Sequence, residues 1–319
     1  MQYMQMGRTD LTVSRICFGC WQMSPKFWGN IDVDAWQNAV LKAVDVGVNF
    51  IDTADAYGDG GAESALGDLL AKEGLRDRFI IATKFYWNFE QEGRVPDTSY
   101  EYILRECDAS LRRLKTDRID LYQIHAWDAL TRPDEVAAAF GQLKKLGKVR
   151  WFGVSNLNAD QIRMYANYFD VECLQPIYNL VTRDVEAHEL PLCLEKRMGV
   201  IAYSPLASGL LSGKHKPGEA IADWRAELPL FKEKALGRIL AGIEEMKPIA
   251  DRLGLTIPQL AIRWTLTHPA MTSAIVGVKK PEHIETIVSA ADANLSIRDW
   301  HRMAGIMSAA KNEALGQSK

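Results

Sequence analysis

Four ionisable side chains stand at the ends of neighbouring apolar runs: Asp52, closely followed by Tyr57, then Lys84, then His125. A lysine that closes an otherwise apolar strand stays charged only beside a partner, and Asp52 is one strand away. A phenol next to an ammonium is expected to have its pKa lowered, because the cation favours the phenolate. Tyr57 is thereby a candidate general acid or base nearer neutral pH. A histidine beside it would orient a carbonyl oxygen or share the proton. Any one of these residues alone reads as structural, as a buried ion pair with a satisfied tyrosine. All four on adjacent strand ends point to proton transfer in one cleft.

The elements that must place them alternate. Strand-type runs are expected at residues 15–20, 49–52, 79–84, 120–125, 149–154, 173–176, 200–204 and 273–277. Segments of helical period lie between and after them. Residues 34–46 carry the stripe Trp36, Ala39, Val40, Ala43, Val44, with Asp32 as N-cap and Gly47 as the left-handed residue past the end. Thr98 and Glu101 read as a capping box, Pro133 as a helix start and Gly147 as a helix stop. Further helices are expected at 62–72, 158–168, 185–196, 236–253, 258–267 and 281–291. Eight βα units favour an α/β fold, a (β/α)8 TIM barrel, in which chemistry belongs at the C-terminal strand ends. No G-x-G-x-x-G follows the first strand, which counts against a doubly wound dinucleotide fold. Three additions are expected: an N-terminal β-hairpin turning at Gly7–Asp10, a long loop after strand 7 (residues 207–235), and a C-terminal helix. No linker or repeat divides the chain, so residues 1–319 are read as a single domain.

Composition agrees with an ordinary globular protein, at 47% hydrophobic and 25% charged residues. The net charge, 38 − 41 = −3, offers no basic surface for nucleic acid. No run of 18 apolar residues and no signal-type core near the N-terminus occur, so no membrane partner is expected. Five cysteines among 319 residues are too few for a disulfide scaffold, and a reducing cytoplasm is expected. Cys17 and Cys20 form C-x-x-C, yet residues three apart on a strand face opposite ways and cannot share a metal. They read as packing, as do Cys107, Cys173 and Cys193, and no metal is expected. The charge pattern sets no oligomeric state.

The run Asn49-Phe50-Ile51-Asp52-Thr53-Ala54-Asp55-Ala56-Tyr57-Gly58 resembles the aldo-keto reductase signature. Ala82-Thr83-Lys84, Gln123-Ile124-His125, Gly153-Val154-Ser155-Asn156 and Tyr203-Ser204-Pro205-Leu206 resemble that family's further motifs in the same order. Residues 204–214 are similar to the bacterial and potassium-channel-β-subunit-like branch. The resemblance implies a barrel that binds NADPH, with NADH as the alternative, and reduces a carbonyl. It implies that Tyr57 donates the proton, that Lys84 and Asp52 tune it, and that His125 holds the carbonyl oxygen. Ser155, Asn156 and Gln175 match positions that bond the nicotinamide carboxamide, and Tyr203 the residue that stacks on its ring. Amides around Ser204, Leu206, Gly209 and Leu211 would meet the pyrophosphate, as a Gly-rich loop with free N–H groups suits an anion.

The adenine end departs from the family pattern. It reads Gly277-Val278-Lys279-Lys280-Pro281-Glu282-His283, and Thr286 and Ile287 replace the usual Glu-Asn pair. Gly277, Lys279 and His283 are the candidates here, with Lys279 pairing a 2′-phosphate. Trp21, Trp28, Trp87 and Trp127 follow strand ends and are expected to wall a pocket for an apolar or sugar-like carbonyl substrate. Two other functions fit the same motifs: a cofactor-binding, redox-sensing regulatory subunit with little turnover, and a phosphate-binding barrel isomerase.

Overall fold

The apolar runs pair as parallel strands in a computed structural model, which describes residues 1–89 and 93–316. The expected domain, residues 1–319, also takes in 90–92 and 317–319, which lie outside the described residues. The strands are β1 (Ile16–Gly19), β2 (Phe50–Asp52), β3 (Ile80–Phe85), β4 (Ile119–Ile124), β5 (Val149–Ser155), β6 (Cys173–Gln175), β7 (Gly199–Tyr203) and β8 (Ser273–Gly277). They pair in chain order and close, β8 against β1, into a barrel. No bound differs from the sequence expectation by more than one residue.

Helices α1 (Val33–Asp45), α2 (Gly61–Glu73), α3 (Tyr100–Leu114), α4 (Pro133–Lys145), α5 (Ala159–Ala166) and α6 (Glu189–Lys196) connect the first seven strands. Then come α7 (Glu233–Leu253), α8 (Ile257–Thr267), α9 (Pro281–Val288) and α10 (Ile297–Leu315). In α1, Asp32 caps the Ala35 amide at 3.0 Å and Trp36, Ala39, Val40 and Ala43 face the core. Gly47 follows at φ +80°, a conformation that costs a residue with a Cβ. The start of α3 differs from expectation. Ser99, not Thr98, is its N-cap, and the Thr98 hydroxyl donates instead to Asp128 at 3.0 Å. Two adjacent hydroxyls compete for the cap, and a carboxylate thirty residues away takes one of them. Helix α6 is shorter than the expected 185–196, because His188 adopts a non-helical φ of −137° and Asp184–Glu186 form a separate 3₁₀ turn.

The N-terminal hairpin pairs Tyr3–Gln5 with Thr12–Ser14 and closes the bottom of the barrel. Its Met6, Leu11 and Val13 join Cys17, Phe50, Ala82, Leu121, Cys173, Ile201 and Ile275 in one buried cluster. Each Met, Leu, Val, Ile or Phe side chain in it contributes roughly 1.5–3 kcal/mol through burial. Cys20 belongs to the other cluster, between barrel and helices, so Cys17 and Cys20 do face opposite ways. The C-terminal helix α10 is fixed to α8 by Trp264 and Trp300, stacked with centroids 4.8 Å apart. Each indole N–H donates to the other's carbonyl at 3.0 Å. With the lower barrel sealed by apolar groups, polar side chains are left to the upper, C-terminal end.

Candidate active site

Strand alternation sends Lys84 inward from β3 and Asp52 inward from β2. Lys84 is fully buried, and its Nζ donates to Asp52 Oδ1 at 2.7 Å, to the Thr53 carbonyl at 2.8 Å and to Tyr57 Oη at 3.2 Å. Burial works against this ammonium, but Asp52 and then Tyr57 more than compensate and hold its pKa above the usual lysine range. Burial raises the Asp52 pKa, and the Lys84 charge offsets part of the rise. Its second oxygen accepts from Gln175 Nε2 at 2.8 Å. The turn after β2, closed by Tyr57 N–H on the Ala54 carbonyl at 3.1 Å, brings the phenol over this pair.

One electrostatic expectation is overturned. The Tyr57 pKa is not lowered but pushed up to about 12. Burial is the larger effect, the Asp52 charge adds to it, and the Lys84 ammonium offsets only part. Tyr57 is therefore a phenol throughout the neutral range. His125 lies edge-on to it, with ring centroids 6.0 Å apart. Burial, with help from the Lys84 charge, lowers its pKa to about 3, so the ring is a neutral imidazole. Its Nδ1 is buried without a hydrogen-bond partner among the described residues.

The ends of β5, β6 and β7 form one connected network beside this centre. Ser155 Oγ and the Asn156 amide both donate to the Gln175 carbonyl, at 2.8 and 3.2 Å. Asn156, at φ +59°, donates from Nδ2 to the His125 carbonyl at 3.0 Å and accepts from Tyr203 Oη at 2.9 Å. After β7 the backbone is strained, with Ser204, Ala207 and Ser208 at φ +53°, +48° and +57°. Left-handed non-glycine residues of this kind cluster at ligand sites. Asn179 holds the bend by donating to the Ser204 carbonyl at 2.9 Å. The Gly209 and Leu211 amides donate to the Leu206 carbonyl at 3.0 and 3.1 Å, so these two N–H groups hold the turn.

Cations gather around Trp28, from the loops after β7 and β8. Lys279 Nζ lies 4.7 Å from the centre of the Trp28 ring, and the Arg225 guanidinium 5.7 Å from it. Arg225 also grips Asp223, at 2.9 and 2.7 Å, and donates to the Ser208 carbonyl at 3.1 Å. Burial, then Arg225 and Lys214, lower the Lys279 pKa against the single pull of Asp223. His283 Nδ1 accepts from the Lys279 amide at 3.4 Å. Gly277 lets the Gln22 side chain lie against the backbone, where a Cβ would sit 1.8 Å from Gln22 Nε2.

Residues 15–308 match the family model described as the aldo/keto reductase family. The chain belongs to the aldo-keto reductases. It is 33% identical over 319 residues to the NADH-specific methylglyoxal reductase of Escherichia coli (strain K12), covering 94% of this chain and 96% of that one. It is 34% identical over 307 residues to a probable voltage-gated potassium channel subunit beta of Arabidopsis thaliana, covering 92% of each. The solved structure of a glycerol dehydrogenase from Gluconobacter oxydans superposes with a TM-score of 0.89 at 30% identity, over 97% of this chain and 95% of that one.

In this aldo-keto reductase the four expected tryptophans have different ring neighbours. Trp21 and Trp28 meet edge-on at 5.3 Å and join Phe27 and Trp224, a residue of the long loop after β7. Trp87 packs on Tyr86 at 4.7 Å, and Trp127 packs on Tyr165 at 5.5 Å, away from that cluster. Sequence reasoning missed Arg225, Lys214 and Trp224 because residues 207–235 have no period to place them. The run Asp223-Trp224-Arg225 carries a charge pair and an aromatic, a signal legible only once the loop is seen to fold back.

Proposed function

We propose that this aldo-keto reductase reduces an aldehyde or ketone with NADPH, and that residues 1–319 act as one cytoplasmic catalytic domain. The observation that carries the reading is the buried Lys84 ammonium, shared between Asp52 and the Tyr57 hydroxyl. A protonated phenol held by a cation is a proton donor whose conjugate base is stabilised as it forms. Tyr57 gives its proton to the carbonyl oxygen, Lys84 steadies the developing phenolate, and Asp52 keeps Lys84 charged. Neutral His125 orients that oxygen by a hydrogen bond without competing for the proton. When bound, the reduced nicotinamide supplies the hydride for the carbonyl carbon.

The residues fit that cofactor on their own chemistry. Ser155, Asn156 and Gln175 offer amide and hydroxyl groups for a carboxamide, and Tyr203 a flat ring beside them. Ser204, Leu206, Gly209 and Leu211 form a strained turn proposed to meet the pyrophosphate, in which the Gly209 and Leu211 N–H groups hold the turn and are not free for the anion. Lys279, joined by Lys214 and Arg225, forms a cationic end beside Gly277 and the neutral ring of His283, with Asp223 and Glu282 as the nearby carboxylates, and this end suits a 2′-phosphate. The indole N–H groups of Trp28 and Trp224 are buried there without partners among the described residues. Trp21, Trp28, Trp87 and Trp127 remain the residues proposed to wall the substrate pocket. Five unpaired, buried cysteines suit a reducing compartment.

The test is NADPH oxidation at 340 nm with 4-nitrobenzaldehyde. Tyr57→Phe is expected to lower kcat by about 10²–10⁴-fold, with the cofactor Kd, read by tryptophan quenching, within twofold. Wild-type turnover in that variant would remove Tyr57 from the chemistry. The similarity to a potassium channel β subunit keeps a second reading, a redox-sensing subunit. Tight NADPH binding with negligible turnover across aldehydes, ketones and sugars would favour it.

A further inference from the structure

Gln175 belongs to two networks at once. Its Nε2 donates to Asp52 Oδ2 at 2.8 Å, while its backbone carbonyl holds Ser155 Oγ and the Asn156 amide. Its Oε1 accepts no hydrogen bond among the described residues, and it is not one of the oxygens sealed from the cleft. One planar amide thus has its donor on the proton-transfer side and its acceptor free. Asp52 takes that donor on Oδ2 while Oδ1 is committed to Lys84 at 2.7 Å, and the Gln123 side chain also favours the Asp52 carboxylate.

We propose that Gln175 is a positioning residue that couples occupancy of the nicotinamide site to the charge on Asp52. The inference rests on the nicotinamide reading above, in which the carboxamide N–H₂ donates to Gln175 Oε1. An amide that accepts at oxygen becomes a better donor at nitrogen, because hydrogen bonds in a chain polarise one another. The bond to Asp52 then strengthens and favours its carboxylate form. A carboxylate at Asp52 holds the charge on Lys84, and Lys84 steadies Tyr57. Leucine at this position would give no donor, and glutamate would set a second acid against Asp52. A neutral amide does both tasks.

The groups facing Asp52 are Cys17 and Cys20 from β1 and its turn, Tyr57, Lys84 from β3, and Cys173 from β6. Burial raises the pKa of each of these three thiols, so they are neutral through the acid range. Lys84 keeps its charge and His125 stays neutral over the same range. Asp52 is the carboxyl group of this set, its pKa raised by burial with the Lys84 charge offsetting part of the rise. If the bound cofactor favours its carboxylate, binding releases a proton, and affinity rises with pH across that transition by at most about tenfold per pH unit.

The experiment measures the Kd of NADPH on the full chain from pH 5 to 9 by tryptophan quenching, a readout without turnover. Titrations of the 2′-phosphate and of His283 are common to all variants and cancel in the comparison. Ser155→Ala is expected to weaken binding and keep the wild-type pH dependence. Gln175→Met is expected to weaken binding and lose the Asp52-linked part of it. Gln175→Glu, which keeps the shape if methionine does not fold, is expected to move the transition up by a pH unit or more. Weaker binding in Gln175→Met with wild-type pH dependence would make Gln175 a cofactor ligand and nothing else, overturning the coupling. An unchanged Kd would instead overturn the nicotinamide reading on which it rests.

Discussion

The raised pKa of Tyr57 predicts an asymmetry between the two directions of the reaction. In the proposed mechanism, carbonyl reduction uses the Tyr57 phenol and alcohol oxidation uses its phenolate. With a pKa of about 12, roughly one molecule in a thousand holds the phenolate at pH 9 and one in a hundred thousand at pH 7. Oxidation kcat/KM should therefore climb about a hundredfold from pH 7 to pH 9 with no plateau, while reduction kcat/KM stays flat over the same range. His125, near 3, adds no titration of its own above pH 5. The assay is initial rate in both directions at fixed ionic strength, with an aldehyde and its alcohol. A tyrosinate absorbance difference between wild type and Tyr57→Phe should stay absent up to pH 9. The reasoning is refuted if oxidation levels off between pH 7 and 8 while reduction falls there. That pattern would mean that the Lys84 cation outweighs burial and that the phenolate is accessible near neutrality.

Two further outcomes follow from charge placement. Arg225→Leu combined with Lys279→Met should raise the Kd of NADPH by about 10–100-fold, the worth of one or two charge-assisted hydrogen bonds, and that of NADH by less than threefold. Equal losses for both cofactors would detach these cations from the 2′-phosphate. Glu63→Ala should lower urea-unfolding stability by about 3–5 kcal/mol, as expected when a buried pair loses one partner. Glu63 is fully buried and accepts from Arg113 Nε at 2.7 Å and from Thr83 Oγ1 at 2.6 Å. A loss under 1 kcal/mol would show that Arg113 finds other acceptors, such as Glu106.

The barrel was legible because strand ends and helix caps are local signals. Runs of β-branched and apolar residues set eight strands, and Asp32, Pro133 and Gly147 set helix limits as expected. Reading the strand ends then grouped Asp52, Tyr57, Lys84 and His125 without coordinates, and the structure puts these four side chains side by side. What failed depended on distance in the chain. Thr98 lost the cap to Ser99 because Asp128 claims its hydroxyl. The direction of the Tyr57 shift was misjudged because spacing shows which charges are near, but not how much water is excluded. Arg225 gave no sign at all, since its role comes from a loop that folds back beside Lys279.

Strand β3 explains how so costly a centre is held in place. Replacing a buried ion pair by apolar groups of similar volume is often neutral or stabilising, so Asp52 and Lys84 are weak contributors to stability. Their geometry needs support from elsewhere, and the alternation of β3 provides it. Thr83 points outward, where Glu63 accepts its hydroxyl and is itself held by Arg113 and Ser110. Lys84, the next residue, points inward to Asp52. A slip of one residue would bury Thr83 against Asp52 and turn Lys84 into the helix layer, reversing both faces. The outer network of α2 and α3 therefore fixes the register that aims the inner ammonium, while the hairpin seals the floor below it. Support and the proposed chemistry thus fall on opposite faces of β3 at two adjacent residues, the outer one holding the strand while the inner one faces Asp52.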